Sequence, residues 1–245
     1  MKWSIGVLFI SLSLILTNAC LARTITFSST EKQNTLLELY TSEGCSSCPR
    51  ADKWLSQLKQ DSRLWNEVFP VAFHVDYWNY LGWKDRFSKH AYTQRQQAYA
   101  NVGLVRTVYT PGFVKNGREW RSWFGNPNLD KLEAGVTGVL SATVSERRID
   151  AVFQSAMTHD ASVLHIAMLK MNESTAIRAG ENEGKRLVHD FVVFHHLSAN
   201  SSNRHWTVED SKSIPQLADA QAIVFWVSGV KDPRPIQVTG GWLSQ

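Results

Sequence analysis

The sequence predicts an α/β domain in its first half, followed by a β-rich, sandwich-like part in its second half. Between about residues 35 and 139, short apolar runs alternate with segments whose apolar residues repeat at helical spacing. From about residue 149 onward only short extended runs remain, and turn-forming residues separate them. We therefore predict an α/β domain over residues 23–145 and a β-rich domain over residues 146–245.

The first 22 residues are predicted to be a signal peptide. Lys2 precedes an apolar run of about 14 residues, and small residues follow near Ala19 to Ala22. That run is shorter than the roughly 20 residues that a membrane-spanning helix needs. A charged start, a short apolar middle and a small-residue exit are typical of secretion. The protein is expected to be exported, periplasmic or secreted, with no transmembrane helix after cleavage.

Cys20 leaves a lipoprotein alternative open, because bacterial lipoproteins are cut just before a cysteine. However, Thr17 occupies the position three residues earlier, where that signal usually has leucine. We therefore favour ordinary cleavage near Ala22, which leaves Cys45 and Cys48 in the mature chain. One close pair is not a disulfide scaffold, since such scaffolds use several bridges.

The first predicted elements are a strand, a helix and a second strand. Residues 35–40, TLLELY, form a short apolar run suited to a strand that is covered on both faces. The helix follows Pro49 and is indicated by one apolar stripe, at Ala51, Trp54, Leu55 and Leu58. Residues 71–77 supply the second apolar strand. This spacing predicts a right-handed crossover between two parallel strands.

An inserted helix, a β-hairpin and a final helix complete the predicted α/β domain. Residues 85–101 have helical spacing and end before Gly103. Asn116 and Gly117 lie between short extended runs and predict a two-residue turn, because both turn positions need positive φ. A later apolar stripe predicts the final helix, at Leu129, Leu132, Val136 and Val139.

The charge distribution argues against a nucleic-acid partner. The formal net charge is +4, and the Lys and Arg residues are scattered along the chain. A nucleic-acid-binding surface usually carries a dense basic patch. We therefore expect no nucleic-acid binding.

The Cys45–Cys48 pair at the predicted start of the first helix is the main chemical feature. A Cys-x-x-Cys spacing brings both sulfur atoms to one turn, where they can form a small disulfide ring. Cys45 would face the amide groups of the helix N-terminus, which favour the thiolate that attacks disulfides. A structural zinc site needs four ligands, and one such pair supplies only two. A redox-active dithiol, a structural disulfide and a metal- or protein-binding site all remain open.

The motifs around this pair resemble those of the thioredoxin superfamily. They are Cys45-Ser46-Ser47-Cys48 after the first strand, the helix behind them, and Thr110-Pro111 before the predicted hairpin. Longer blocks resemble a family of secreted bacterial proteins known as domain-of-unknown-function family 1223. Those blocks are LLELYTSEGCSSCPRADKWL, FHVDYWNYLGWKDRFS, YTQRQQAYA and VYTPGFVKNGR.

The resemblance implies a thioredoxin-like domain over residues 23–145 and thiol–disulfide exchange as its function. Cys45 would attack a substrate disulfide and Cys48 would resolve the mixed disulfide, with no cofactor beyond their own disulfide. Thr110 and Pro111, joined by a cis peptide bond, would align the substrate backbone. Substrates would be partner proteins or small thiols, and a separate redox partner would recycle the pair. Pro49 follows Cys48 instead of lying between the cysteines, which leaves the redox potential and substrate preference open.

Four further residues are candidate supporting groups. Glu43 lies two residues before Cys45, where a negative charge would oppose thiolate formation. His74, Asp76 and Tyr77 lie at the end of the second predicted strand, and ligands gather at the carboxyl ends of parallel strands. Asp76 would accept a proton from the resolving cysteine. His74 would polarise the site or, in the metal-binding alternative, complete a Cu(I) site with the two thiolates.

The second half contains four histidines close together in sequence, His189, His195, His196 and His205. No carboxylate pattern or metal-ligand spacing accompanies them. We therefore predict surface or interface positions for these histidines.

Overall fold

The computed structural model describes residues 24–125, 129, 135–157, 160–209 and 214–243 and consists mainly of β-strands. The predicted signal peptide, with Cys20, lies outside the described residues. The helices within them are α1 (Cys48–Gln57) and α2 (His90–Asn101), and neither is long and apolar enough to span a lipid bilayer. The strands are β1 (Ile25–Ser28), β2 (Thr35–Thr41), β3 (Val68–His74), β4 (Gly112–Lys115), β5 (Arg118–Glu119), β6 (Val139–Val144), β7 (Ile149–Gln154), β8 (Val163–Lys170), β9 (Glu173–Ala176), β10 (Arg186–His189), β11 (Val192–Asn200), β12 (His205–Val208), β13 (Ala222–Ser228) and β14 (Gln237–Trp242).

Eight strands form one mixed sheet in the order β14-β13-β8-β11-β3-β2-β4-β5. β2 and β3 are parallel neighbours, paired from Thr35↔Val68 to Thr41↔His74, and every residue of both strands is buried. Their nearly continuous apolar sequences suit strands that are covered on both faces. The carboxyl ends of β2 and β3 therefore lie side by side, and the loop that contains Cys45 leaves the sheet at this edge.

The predicted fold class, a thioredoxin-like α/β domain followed by a separate sandwich-like part, is wrong. The second half adds β8, β11, β13 and β14 to the same sheet that contains β2 to β5. Val192 of β11 pairs in parallel with Ala72 of β3 and joins the two halves. β11 thereby occupies the hydrogen-bonding edge that β3 would otherwise leave free. The domain boundary at residue 145 stays a prediction, although strands from both sides of it share this sheet.

The described part of the predicted final helix is extended instead of helical. Val139 begins β6, and Val136 forms an isolated bridge with Lys32. Along β6, buried residues alternate with half-buried residues, which is the period of a strand. Residues 126–128 and 130–134 of that predicted helix lie outside the described residues.

A second sheet, in the order β1-β6-β7-β12, packs against the large sheet. Apolar side chains from both sheets form a shared core, which includes Leu140 and Phe153 from the small sheet and Ile166 and Phe225 from the large sheet. This layer explains why the second half reads as a succession of short strands with alternating apolar residues.

Helix α1 lies between β2 and a two-stranded hairpin formed by β9 and β10. Its buried residues are Cys48, Ala51, Asp52 and Leu55. Cys48 and Asp52 are four residues apart, so they lie one turn apart on the same buried face of the helix. The hairpin comes from the second half of the chain, and it reaches the Cys-x-x-Cys motif of the first half.

Candidate functional site

Cys45 and Cys48 form a disulfide in the loop between β2 and α1, with their Cα atoms 5.4 Å apart. Ser47 is the N-cap residue of α1, and Pro49 lies in the first turn, where its missing N–H costs no helical hydrogen bond. Cys45 is 2% exposed and Cys48 is fully buried, whereas the intervening serines are exposed. The helix therefore presents its amino end to the disulfide, and the protein covers both sulfur-bearing residues.

The peptide bond between Thr110 and Pro111 is cis and lies near the end of β2 that leads to Cys45. β4 follows this bond and pairs antiparallel with β2, with Gly112 opposite Tyr40. Pro111 therefore lies at the carboxyl end of β2, at the same edge of the sheet as the disulfide loop.

Trp78 links the disulfide loop to the cis peptide. Its indole N–H donates a hydrogen bond of 2.7 Å to Thr110 Oγ1. Its Cβ lies 3.1 Å from the position that a Cβ on Gly44 would occupy, so a side chain at residue 44 would crowd Trp78. A glycine immediately before Cys45 thus permits the close contact of the two segments.

Asp76 and Tyr77, two of the predicted supporting residues, contact helix α2. The Asp76 carboxylate accepts a hydrogen bond of 2.6 Å from Thr93 Oγ1 and lies 3.1 Å from Nδ1 of His90. The Tyr77 hydroxyl donates to Gln96 Oε1 at 3.2 Å, and burial raises the pKa of Tyr77. These partners anchor the loop after β3 to α2. Proton transfer from the resolving cysteine to Asp76 stays a prediction.

His74 is buried at the end of β3 and is paired with Asp85. Its Nδ1 lies 2.6 Å from Asp85 Oδ2, and its Nε2 has no hydrogen-bond partner. Asp85 also accepts hydrogen bonds from the backbone amides of Glu43 and Phe87, each at 2.9 Å. Burial alone would raise the pKa of the Asp85 carboxyl, but His74 and these amides outweigh it and lower that pKa. His74 therefore helps to hold the backbone two residues before Cys45.

Glu43, Asp52 and His189 form a buried cluster that we call the carboxylate–histidine cluster. The two ring nitrogens of His189 lie 3.4 Å from Asp52 Oδ2 and 3.6 Å from Glu43 Oε1. His189 is 1% exposed and Glu43 is fully buried. Burial disfavours the charged imidazole, but Asp52 and Glu43 outweigh it and raise the pKa of His189 to about 10. The cluster thus places one imidazole ring between two acidic side chains.

Other polar groups connect this cluster to its surroundings. The Trp83 indole donates a hydrogen bond of 2.8 Å to Glu43 Oε2, and Thr41 Oγ1 donates to Asp52 Oδ2 at 3.2 Å. The His189 and His74 rings meet edge to face with centroids 4.9 Å apart. A pocket of about 320 Å³ lies between α1 and β10, and both Asp52 and His189 line it.

The tip of the β9–β10 hairpin is hydrogen-bonded to the disulfide loop. Glu181 Oε2 accepts a hydrogen bond of 2.9 Å from the Ser46 amide, and this bond lowers the pKa of Glu181. The fully buried Asn182 side chain donates to the carbonyl oxygens of Glu43 and Cys45, each at 2.8 Å. We call residues 180–184 the hairpin tip. Its contacts hold the backbone on both sides of Cys45.

The structure corrects the prediction for His189, which is buried and not at the surface. Asp52, His189 and Asn182 were missed as site residues. A signal for Asp52 was present, because it follows Cys48 by one helical turn. No local pattern connects His189 or Asn182 to the cysteines, since their strand and turn lie in the other half of the chain.

The described residues contain no group of three or more His, Cys, Asp or Glu side chains placed to bind a metal ion. The Cu(I) alternative therefore remains a hypothesis from the sequence.

Comparisons with known proteins identify a family but no activity. The family described as "Protein of unknown function (DUF1223)" matches residues 36–228. No curated protein matches this chain. Protein AGR_C_4864 from Agrobacterium tumefaciens is 21% identical, with a TM-score of 0.65, over 89% of this chain and 97% of that chain. HBP35 of Porphyromonas gingivalis is 14% identical, with a TM-score of 0.53, over 89% of this chain and 77% of that chain. At these identities the two solved structures show similarity of fold alone.

Proposed function

This chain belongs to the DUF1223 family of proteins of unknown function, and from the geometry of the Cys45–Cys48 site we propose that it is an exported thiol–disulfide oxidoreductase. Its substrates are disulfides or dithiols of partner proteins, or small thiols. A separate redox partner recycles the pair, and the disulfide itself is the only redox group required. The proposal of export depends on residues 1–22 of the sequence.

One observation carries this proposal: a disulfide at the N-terminus of a helix lies at the same sheet edge as a cis-proline peptide. The helix amides favour a thiolate at Cys45 over a thiol. As the resemblance to the thioredoxin superfamily implies, the backbone at Thr110 and Pro111 would offer polar groups to an extended substrate. The Trp78 indole, hydrogen-bonded to Thr110, holds that residue close to the disulfide loop. The resemblance of both motifs to those of the thioredoxin superfamily supports the same chemistry.

In the reducing direction, the Cys45 thiolate attacks one sulfur of a substrate disulfide. The substrate disulfide breaks, one substrate sulfur leaves as a thiolate, and Cys45 is joined to the other in a mixed disulfide. Cys48 then loses its proton and attacks Cys45, which forms the internal disulfide and releases the second substrate thiolate. The protein loses two electrons and the substrate gains them. Oxidation of a substrate dithiol follows the same steps in reverse.

Exchange assays with cysteine variants test the proposal. We expect the wild-type protein to catalyse reduction of insulin disulfides by dithiothreitol, and we expect Cys45→Ser to abolish this catalysis. Cys48→Ala should retain the first attack but not the second, so mixed disulfides should accumulate and should disappear on treatment with excess thiol. His205→Gln, at an exposed residue of β12, is the control and should keep wild-type activity.

The contrary result is a folded protein whose Cys45–Cys48 disulfide can be reduced but which neither catalyses exchange nor traps a substrate. That result would reject the enzyme and favour a binding module that uses the same site. If exchange is found, the reduction potential gives the direction of electron flow. Values of about −270 mV indicate a reductant, and values of about −120 mV indicate an oxidant.

A further inference from the structure

We propose that the carboxylate–histidine cluster sets the ionisation of the Cys45 thiol in the reduced protein, and that His189 is a positioning residue for thiol–disulfide exchange. The inference deepens the proposed function, because it concerns the same cysteine pair. It assigns a role to a strand of the second half of the chain, which supplies His189 to a motif in the first half.

The location of the cluster connects it to both cysteines. Glu43 is two residues before Cys45 on the same loop, and Asp52 is one turn after Cys48 on the buried face of α1. His189 enters from β10 and contacts both carboxylates. All three side chains are buried, so water screens their charges poorly.

The charge balance around the cysteines gives the expected sign of the effect. In this proposal the two carboxylates and the imidazolium together carry one net negative charge, which opposes a thiolate at Cys45. Removal of the imidazolium increases the electrostatic repulsion of the Cys45 thiolate. Removal of one carboxylate leaves the cluster without net charge, so this repulsion disappears. His189 therefore allows Cys45 to ionise beside two buried acids.

Several other charged groups near the cluster have hydrogen-bond or ion-pair partners of their own, whereas Lys53 and Arg186 line the same pocket as Asp52 and His189. His74, whose ring contacts His189, is held by Asp85. Glu181 binds the Ser46 amide, and Lys185 donates to Asn182 Oδ1. Asp190, which follows His189, forms an ion pair with Lys59, and Glu173, opposite His189 in the hairpin, forms one with Arg86. These pairs are unchanged in the variants below, so they do not alter the expected differences.

The test begins with full reduction of the protein. Dithiothreitol transfers two electrons to the Cys45–Cys48 disulfide and is itself oxidised to a cyclic disulfide, and the two cysteine sulfurs take up protons according to their pKa values. After removal of the reductant, the ultraviolet absorbance of the thiolate is followed against pH. The double variant Cys45→Ser/Cys48→Ser supplies the baseline.

Two variants should move the pKa of the Cys45 thiol in opposite directions. His189→Gln removes the positive charge and should raise this pKa by about one unit, which is about tenfold less thiolate at a given pH below it. Glu43→Gln removes a negative charge and should lower it by a similar amount. His196→Gln is the matched control, because burial lowers the pKa of His196 and its ring is stacked on Trp226 in the large sheet. It should leave the thiol pKa unchanged.

Shifts of the same sign in His189→Gln and Glu43→Gln, or no shift in either, would overturn the inference. If His189→Gln does not fold, Glu43→Gln and Asp52→Asn decide it, because both must lower the thiol pKa. The measurement uses no protein substrate. Opposite shifts in a protein without exchange activity would therefore reject only the proposed function, and activity without these shifts would reject only the role of the cluster.

Discussion

Two buried charged clusters in this molecule differ in how completely their hydrogen bonds are made. In the core, Arg95 of α2 donates to both carboxylate oxygens of Glu38 at 2.8 and 3.0 Å. The hydroxyl groups of Tyr40 and Tyr99 donate to the same carboxylate at 2.8 and 2.6 Å. Near the disulfide, His189 reaches Asp52 and Glu43 only at 3.4 and 3.6 Å.

In the carboxylate–histidine cluster, several buried polar atoms lack a hydrogen bond. Both ring nitrogens of His189 and Oε1 of Glu43 have ion-pair contacts but no hydrogen bond of good geometry. A fully satisfied buried network rigidifies its surroundings, whereas a buried polar atom without a hydrogen bond costs free energy. We expect the core cluster to contribute more to stability, and the difference in bonding agrees with the proposed role of the carboxylate–histidine cluster in the ionisation of Cys45.

The largest expected effect comes from breaking the core cluster. Arg95→Met leaves the Glu38 carboxylate buried without its cation, so the free energy of unfolding should fall by about 3–5 kcal/mol. Urea unfolding of the oxidised protein measures this loss. Arg234→Met, which breaks an exposed ion pair with Asp232, is the control and should cost at most about 1 kcal/mol. Equal losses in the two variants would mean that the core cluster contributes no special stability.

The second effect concerns pH and the carboxylate–histidine cluster. Folding raises the pKa of His189 from its ordinary 6.5 to about 10, so the folded protein binds more protons than the unfolded chain between these pH values. This contribution to stability is fully present below pH 6.5 and is lost as the pH rises toward 10. The slope from one such group is at most about 1.4 kcal/mol per pH unit.

Unfolding measured at several pH values checks this dependence. The oxidised wild-type protein should lose stability from about pH 7 to 10 more steeply than His189→Gln does. Use of the oxidised form removes thiol titration from the comparison. Parallel pH profiles for the two proteins would show that His189 is not the residue at which the folded protein binds an additional proton.

The smallest effect is expected at the hairpin tip. Asn182→Ala removes the hydrogen bonds to the carbonyl groups of Glu43 and Cys45, which should free the loop and expose the disulfide more often. Dithiothreitol should then reduce the Cys45–Cys48 disulfide several-fold faster, since a loss of about 1 kcal/mol corresponds to roughly fivefold. Glu183→Ala, at an exposed residue of the same turn, is the control. An unchanged reduction rate in Asn182→Ala would show that the hairpin tip does not limit access to the disulfide.

Local parts of the fold could be predicted because the sequence signals were local. The apolar run at residues 35–40 lies in β2, and the stripe after Pro49 lies in α1. The turn at Asn116 and Gly117, with φ values of 47° and 77°, connects β4 and β5. Each of these features depends on side-chain period or backbone freedom within a few residues.

The assembly of these elements could not be predicted in the same way. The fold-class prediction failed because short apolar strands are compatible with either a separate sandwich or an extension of an existing sheet. The pairing of Val192 with Ala72 joins residues far apart in sequence, and no local pattern encodes that choice. The same separation concealed the contact of His189 with Glu43 and Asp52.

The sequence by itself determined the spacing of the two cysteines and their position at the start of a helix, because the Cys-x-x-Cys motif, Pro49 and the apolar stripe after it are all local signals. Only the tertiary structure decided what surrounds the cysteines. His189 and the hairpin tip come from the second half of the chain. In the folded protein they form ion pairs and hydrogen bonds with residues of the first half. These contacts join segments far apart in sequence, so no single segment encodes them.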